Sequence, residues 1–154
     1  MKWAELHTEA CPVARGLSVI GDRWTMLVLR ECFLGIRRFE PMQQRLGITR
    51  HVLSDRLRKL EADGVLRRDA YQERPVRHEY RLTEKGKALY PVLVSLIDWA
   101  NSNVPADQGS SVTLVSRDTD EPIEPKLIDA RTGKEITPRS VRAVSDDKAS
   151  PSAP

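Results

Sequence analysis

The chain has 154 residues, 40% of them hydrophobic and 31% charged, with a formal net charge of +3 at pH 7. That is enough for one domain with a modest core plus extensions, and no stretch approaches the roughly eighteen apolar residues of a membrane span. Residues 1–20 carry no signal-peptide pattern, so the expected location is cytoplasmic.

Taken in order, the first predicted element is a short helix. Pro12 suits its first turn, and Val13, Leu17 and Ile20 recur at helical spacing up to Gly21. Asp22 is placed to cap a second helix, which Trp24, Leu27, Val28 and Glu31–Phe33 carry to Gly35. Phe39, Met42 and Leu46 set a third, with Pro41 in its first turn. Gly47-Ile48 then leaves room for a turn of only three or four residues, so the next helix must cross at a steep angle.

That next helix is the most informative. Thr49 as N-cap and Gly64 just past the end bracket Arg50 to Asp63. At about 100° per residue, Leu53, Leu57 and Leu60 share one stripe, while His51, Ser54, Asp55, Arg58 and Ala62 lie opposite with Lys59 on the flank. Val65-Leu66-Arg67-Arg68 and His78-Glu79-Tyr80-Arg81-Leu82 alternate as short strands around a polar loop containing Arg74, Pro75 and Arg77. Helix, tight turn, basic helix and basic hairpin in this order spell a winged helix-turn-helix. The wing tip, with Arg74, Arg77 and His78, can lie on a phosphate backbone or reach a minor groove while the helix enters the major groove. A hairpin that only covers the core is the alternative.

The charge distribution agrees. Residues 35–78 hold eleven Lys or Arg against six Asp or Glu, whereas residues 1–34 balance at four each, 79–104 at three each, and 105–154 stand at seven against nine. The positive excess therefore sits in the helix-turn-helix and hairpin, a footprint that attracts phosphates.

After Thr83 a long helical pattern runs to about Asn101, with Leu89, Val92, Leu93, Leu96, Ile97 and Trp99 covering more than one stripe and Pro91 expected to kink it. This is more apolar surface than one small winged domain buries, which favours a partner subunit, with Val13 and Leu17 alongside. Simple core packing is the other reading. Beyond Val104, residues 105–111 read as linker, and residues 112–144 as a small β-rich appendage with strands at Val112–Ser116 and Lys126–Ala130 and turns at Asp118–Glu121 and Arg131–Lys134. Ser116–Ile123 and Asp129–Ile136 share only a Thr, an acid or base and a final Ile, a hairpin similarity short of a repeat. Residues 145–154, with three Ser and two Pro, are expected to be disordered.

Catalytic and metal signatures are missing. There is no Gly-rich phosphate loop, GxSxG elbow or HExxH, and Cys11 and Cys32 form no CxxC pair beside three scattered His. The expectation is a protein without enzymatic activity, metal or cofactor. Cys32 falls on an apolar helix face, as a core residue would.

Several segments together resemble the HxlR-type bacterial transcriptional regulators: Cys11-Pro12-Val13, Gly21-Asp22-Arg23-Trp24-Thr25, Arg38-Phe39, Gly47-Ile48-Thr49, Leu53-Ser54-Asp55-Arg56-Leu57, Leu60-Glu61-Ala62-Asp63-Gly64-Val65, Glu79-Tyr80-Arg81-Leu82-Thr83-Glu84-Lys85-Gly86 and Trp99-Ala100. The resemblance covers roughly residues 10–101. It implies a homodimeric winged-helix protein of MarR-like architecture that binds double-stranded operator DNA and represses or activates nearby genes. The recognition helix would be residues 49–63 and the wing 67–81. Arg50, His51, Ser54 and Arg58 would meet base edges or adjacent phosphates, Thr49 and Lys59 the backbone, and Arg74 and Arg77 would serve the wing. Asp55 would accept from a cytosine amino group or hold Arg58 or Lys59 in place. In some members a Cys at the position of Cys11 senses oxidants or electrophiles, which makes Cys11 a candidate redox sensor. A small-molecule effector between subunits, near Trp24, Phe33 and Trp99, is a further option.

The reading carried forward is mainly α (α+β): residues 1–104 as DNA-binding and dimerisation domain, with Val13, Leu17, Leu89, Val92, Leu93, Leu96 and Trp99 as dimer contacts. The alternative is a winged-helix protein-interaction module without specific DNA binding.

Overall fold

The computed structural model describes residues 3–104 and 112–144; the expected linker at 105–111 and tail at 145–154 lie outside them. The chain divides into two compact units, Met1–Pro105 and Ala106–Pro154. In the first, a 3-10 segment (Trp3–Thr8) leads into α1 (Pro12–Ile20), α2 (Thr25–Phe33), α3 (Phe39–Leu46), α4 (Arg50–Ala62), β1 (Leu66–Glu73), β2 (Val76–Leu82), α5 (Glu84–Lys87) and α6 (Tyr90–Asn103). No helix among the described residues is long and apolar enough to cross a membrane.

The helix boundaries follow from local chemistry. Asp22 Oδ1 accepts from the amides of Trp24 (2.9 Å) and Thr25 (3.1 Å), and so satisfies donors that the start of α2 would leave unpaired. α3 stops at Gly47, which takes φ +62°, a left-handed conformation that costs glycine little. Two residues later, Thr49 Oγ1 accepts from the Val52 amide at 3.3 Å and starts α4. At the far end Gly64 takes φ +69°, its amide donates to the Glu61 carbonyl, and Val65 donates to Leu60, the paired bonds of a Schellman stop.

The core is the inner stripe of α4, Leu53, Leu57 and Leu60, closed by Val28, Leu29 and Cys32 from α2, Met42 from α3, and Ile48, Val65 and Leu66. Burial pushes the Cys32 thiol up to about 12, so this cysteine behaves as a small apolar residue. Among buried side chains Glu31 is charged, with 0% exposure. Its carboxylate accepts from Arg30 (2.7 Å) and Arg45, which joins α2 to α3. Burial pushes the Glu31 carboxyl up, but those guanidinium bonds outweigh it and hold the group below its ordinary value.

β1 and β2 form an antiparallel hairpin from Leu66↔Leu82 to Glu73↔Val76, turning at Arg74-Pro75 through a cis peptide bond, with a bulge between Ala70 and Gln72. Both strands outrun the expected segments, because the turn takes only Arg74 and Pro75. The wing is fastened to the α2–α3 connection by the Tyr80 amide on the Arg37 carbonyl (2.7 Å) and a β-bridge between Arg38 and Glu79.

The expected single helix after Thr83 is two. Pro91, expected inside it, sits in the first turn of α6, where its missing N–H leaves no bond unmade. Thr83 caps α5, accepting from the Gly86 amide (3.1 Å) and donating to the Gly64 carbonyl (2.6 Å). Lys85 adds a bond to the Asp63 carbonyl at 2.7 Å, so α5 ties the end of α4 to the base of the wing.

The second unit departs further from expectation. Its two turns are held by isolated bridges, Val115↔Pro122 and Ile128↔Glu135, instead of strands. Ser116 N donates to Glu121 O, Asp120 N to Ser116 O and Ile123 N to Leu114 O; Asp129 N donates to Lys134 O, Gly133 N to Asp129 O and Ile136 N to Leu127 O. Every donor and acceptor of the first set recurs thirteen residues later in the second, as from Ser116 to Asp129. The left-handed residues match as well, Asp120 (φ +55°) with Gly133 (φ +68°). The unit is therefore a tandem repeat in its backbone, contrary to the reading from side-chain identity. None of residues 112–144 is buried.

Candidate nucleic-acid interface

The outer face of α4 emerges as its periodicity requires. Arg50, His51 and Arg58 are exposed, Ser54 and Asp55 half-buried between them, and Thr49 is spent on its cap. Asp55 stands at the centre, its carboxylate 3.2 Å from His51 Nε2 and 3.4 Å from Arg58 Nη1. It orients a residue on each side of itself, the holding role open to it from sequence. The Arg50 guanidinium lies over the Phe39 ring, 4.8 Å from its centroid.

Lys59 is a correction. Its ammonium donates to the Ser18 carbonyl at the end of α1 (2.8 Å) and to Asp63 (2.6 Å), so its stem and charge serve the packing of α4 on α1. Arg56 acts in the same way. It pairs with Asp22 at 3.0 Å, and Asp22 also accepts from Thr25 Oγ1. Burial pushes the Asp22 carboxyl up; bonds from Thr25, the Trp24 amide and Arg56 overcome this and leave it below its usual value.

Arg74 and Arg77 reach the exposed wing tip, and no acidic group among the described residues lies within ion-pair distance of either. The hairpin has two unlike faces. On one, Arg67 pairs with Asp69 (3.0 Å) and Arg81 with Asp69 (3.6 Å) and Glu79 (2.5 Å), a self-neutralised cluster. On the other, Val76, His78 and Tyr80 look across a cleft of about 600 Å³ toward Arg38, Phe39 and Arg50. There the Arg38 guanidinium lies 4.3 Å from the centroid of Tyr71, the bulge residue. Sequence reasoning missed Arg38 and Tyr71. The available signal was Arg38-Phe39 ahead of a helix and a Tyr that breaks the alternation of its strand.

The expected dimer residues divide. Val13 (68% exposed), Leu17, Val92, Leu96 and Trp99 (58%) remain exposed on α1 and α6. Leu93 is buried and Leu89 packs against the core, so both belong to the subunit's own interior. Inward and outward residues alternate along α6 every three or four positions, which one apolar run concealed. Trp24 and Phe33 also pack against the core, Phe33 with its ring 5.0 Å from that of Tyr90. Cys11 is exposed at the start of α1. Among the described residues no three His, Cys, Asp or Glu gather as a metal site.

Residues 19–108 match the family described as HxlR-like helix-turn-helix. An uncharacterised HTH-type transcriptional regulator of Mycobacterium tuberculosis is 43% identical over 129 residues, 84% of this chain and 82% of its own. The crystal structure of PA1607, a proposed transcription factor, superposes with a TM-score of 0.81 at 39% identity, covering 91% of this chain and 99% of that one. The redox regulator HypR in its reduced form gives a TM-score of 0.56 at 35% identity over 60% of this chain and 93% of its own. With the fold, the basic winged surface and these relatives in agreement, the chain belongs to the HxlR-like helix-turn-helix family of transcriptional regulators.

Proposed function

We propose that the protein is a homodimeric, sequence-specific regulator that reads double-stranded DNA with α4 in the major groove and the β1–β2 wing on the backbone or in the minor groove. The observation that carries this is the pairing of an exposed polar helix face (Arg50, His51, Ser54, Arg58) with a wing tip whose Arg74 and Arg77 have no acidic partner among the described residues. Guanidiniums without an acidic partner among the described residues, Arg50 on the helix and Arg74 and Arg77 on the wing, suit a polyanion with a grooved surface. Residues 1–104 would be the DNA-binding and dimerisation domain, with residues 112–144 an appendage to it. The dimer would join through Val13, Leu17, Val92, Leu96 and Trp99, which sets two recognition helices on half-sites about one helical turn apart.

The test is binding to the intergenic DNA flanking the protein's own gene, against random duplex, at two salt concentrations. Preference for the flanking DNA with a steep salt slope is expected. Equal weak binding to both would favour a protein-interaction module. The exposure of Cys11, together with the likeness to a redox regulator, supports a second element, control by oxidants or electrophiles. Oxidant should then shift affinity in the wild type and leave Cys11→Ser unmoved; an equal shift in both would remove Cys11 from the proposal.

A further inference from the structure

The cleft between α3 and the wing has features that a hairpin merely covering a core would not need. Arg38, Arg50 and Arg77 line it, against one carboxylate, Glu40, and among the described residues none of the three guanidiniums has an acidic partner within 4.0 Å. Two of them lie over aromatic rings, Arg38 over Tyr71 and Arg50 over Phe39. A guanidinium held against a ring by cation–π attraction is not neutralised by it, and its fork of N–H donors can engage two phosphate oxygens at once. Contact with the ring also removes rotamer freedom before anything binds, which lowers the ordering cost of the contact.

The bulge explains how Tyr71 comes to be there. By strict alternation Tyr71 would follow Arg67 and Asp69 onto the ion-paired face of the hairpin. The extra residue between Ala70 and Gln72 breaks that alternation, and Tyr71 lines the cleft beneath Arg38. One face of the wing thus cancels its own charge, while the other gathers open charge and holds it in place.

We propose that this cleft seats a backbone phosphate of the bound DNA, gripped by Arg38 and Arg50, with Tyr71 and Phe39 as the rings that hold them in place. The inference rests on the DNA-binding reading above. It adds Arg38 as a phosphate contact and Tyr71 as a positioning residue, and it assigns the wing's inner face to the nucleic acid.

The experiment is a salt titration of binding with the full-length protein, using fluorescein-labelled duplex from the DNA flanking its own gene and a random duplex of equal length. Arg38→Gln should weaken binding about tenfold on both duplexes, as loss of one charged hydrogen-bonded contact does. It should also reduce the slope of log affinity against log salt by about 0.9, the share of one phosphate. Arg38→Lys should keep the slope and recover part of the affinity. Tyr71→Leu should keep the slope and still lose affinity by about three- to tenfold, while Tyr71→Phe, which preserves the ring, stays within about twofold of wild type. Arg67→Gln, on the neutralised face, should retain the wild-type slope. Thermal melts identify any variant that fails to fold, and Arg38→Gln with Tyr71→Phe still decides the matter if Tyr71→Leu does. An unchanged slope in Arg38→Gln beside a steep wild-type slope overturns the phosphate seat and leaves DNA binding standing. Loss confined to the specific duplex makes Arg38 a base contact and overturns it as well. A wild-type protein with no salt-dependent binding overturns the DNA reading itself.

Discussion

Arg58 is exposed on the outer face of α4, with Asp55 Oδ1 3.4 Å from its guanidinium. If Arg58 reads a guanine, Arg58→Ala should weaken binding to the specific site by about 1 to 3 kcal/mol and relax preference at one position, which a panel of single-base operator variants measures. Equal loss on every duplex would make it a phosphate contact. Helical periodicity gave the direction of Arg58 and His51 because an angle of about 100° per residue is independent of what surrounds the helix, whereas Arg50 came from the family resemblance. It misplaced Lys59 because reach is a separate quantity: a four-carbon stem on the flank of α4 extends to the Ser18 carbonyl on another helix. Alongside Asp22, Glu31 contributes to the pH dependence. Its folded value lies below the ordinary 4.5, so its contribution to stability is complete above that pH and is lost as pH falls through the folded value. Glu31→Gln should therefore flatten the acid limb of a stability–pH curve measured by urea unfolding below about pH 4.5. At neutral pH it should cost about 1 to 3 kcal/mol, since a charged hydrogen-bond acceptor is removed from a buried site.

Among the elements, α5 is the smallest and the most tightly specified. A Cβ added at Gly86 would stand 2.2 Å from the Val65 carbonyl oxygen and 3.0 Å from Leu82 Cδ2. The first of these is backbone at the root of the wing and has little room to yield. Gly86→Ala should cost about 1 to 3 kcal/mol, seen as a lowered thermal midpoint with helical content retained below it. The run Thr83-Glu84-Lys85-Gly86 was visible in the sequence as part of a family signature, but its reason was not. Thr83 and Lys85 are bonded to carbonyls of residues 63–65, about twenty positions earlier, and no local pattern reports a pairing at that separation. Pro91 taught the converse lesson. The apolar run around it was read as continuous helix, although a proline costs nothing in a first turn and several kcal/mol in an interior, about 3 by host measurements. The break at Ala88–Leu89 is the arrangement that avoids that cost.

At the scale of the whole molecule, the proposed dimer would rest on the exposed residues of α1 and α6. Leu96→Glu places a charge on a face where Val92 and Trp99 are also exposed, and leaves buried Leu93 untouched. Sedimentation velocity should show a monomer with unchanged helical content, and operator affinity should fall roughly 100-fold as two half-site contacts become independent. An unaltered dimer would move the interface elsewhere. The winged fold itself was legible from residue 37 to residue 83, because capping residues, glycine stops and the leucine stripe of α4 agree on one answer. The C-terminal unit was not, since its likeness lies in backbone bonds. Ser116 and Asp129 each accept an amide through a side-chain oxygen, and Asp120 and Gly133 each tolerate a left-handed turn, with little identity between the two copies. Its length is consequently quantised. Excision or duplication of thirteen residues returns every donor to an equivalent acceptor, and a change of six or seven strands half of them, so this part of the chain is free to shorten or grow only in whole steps.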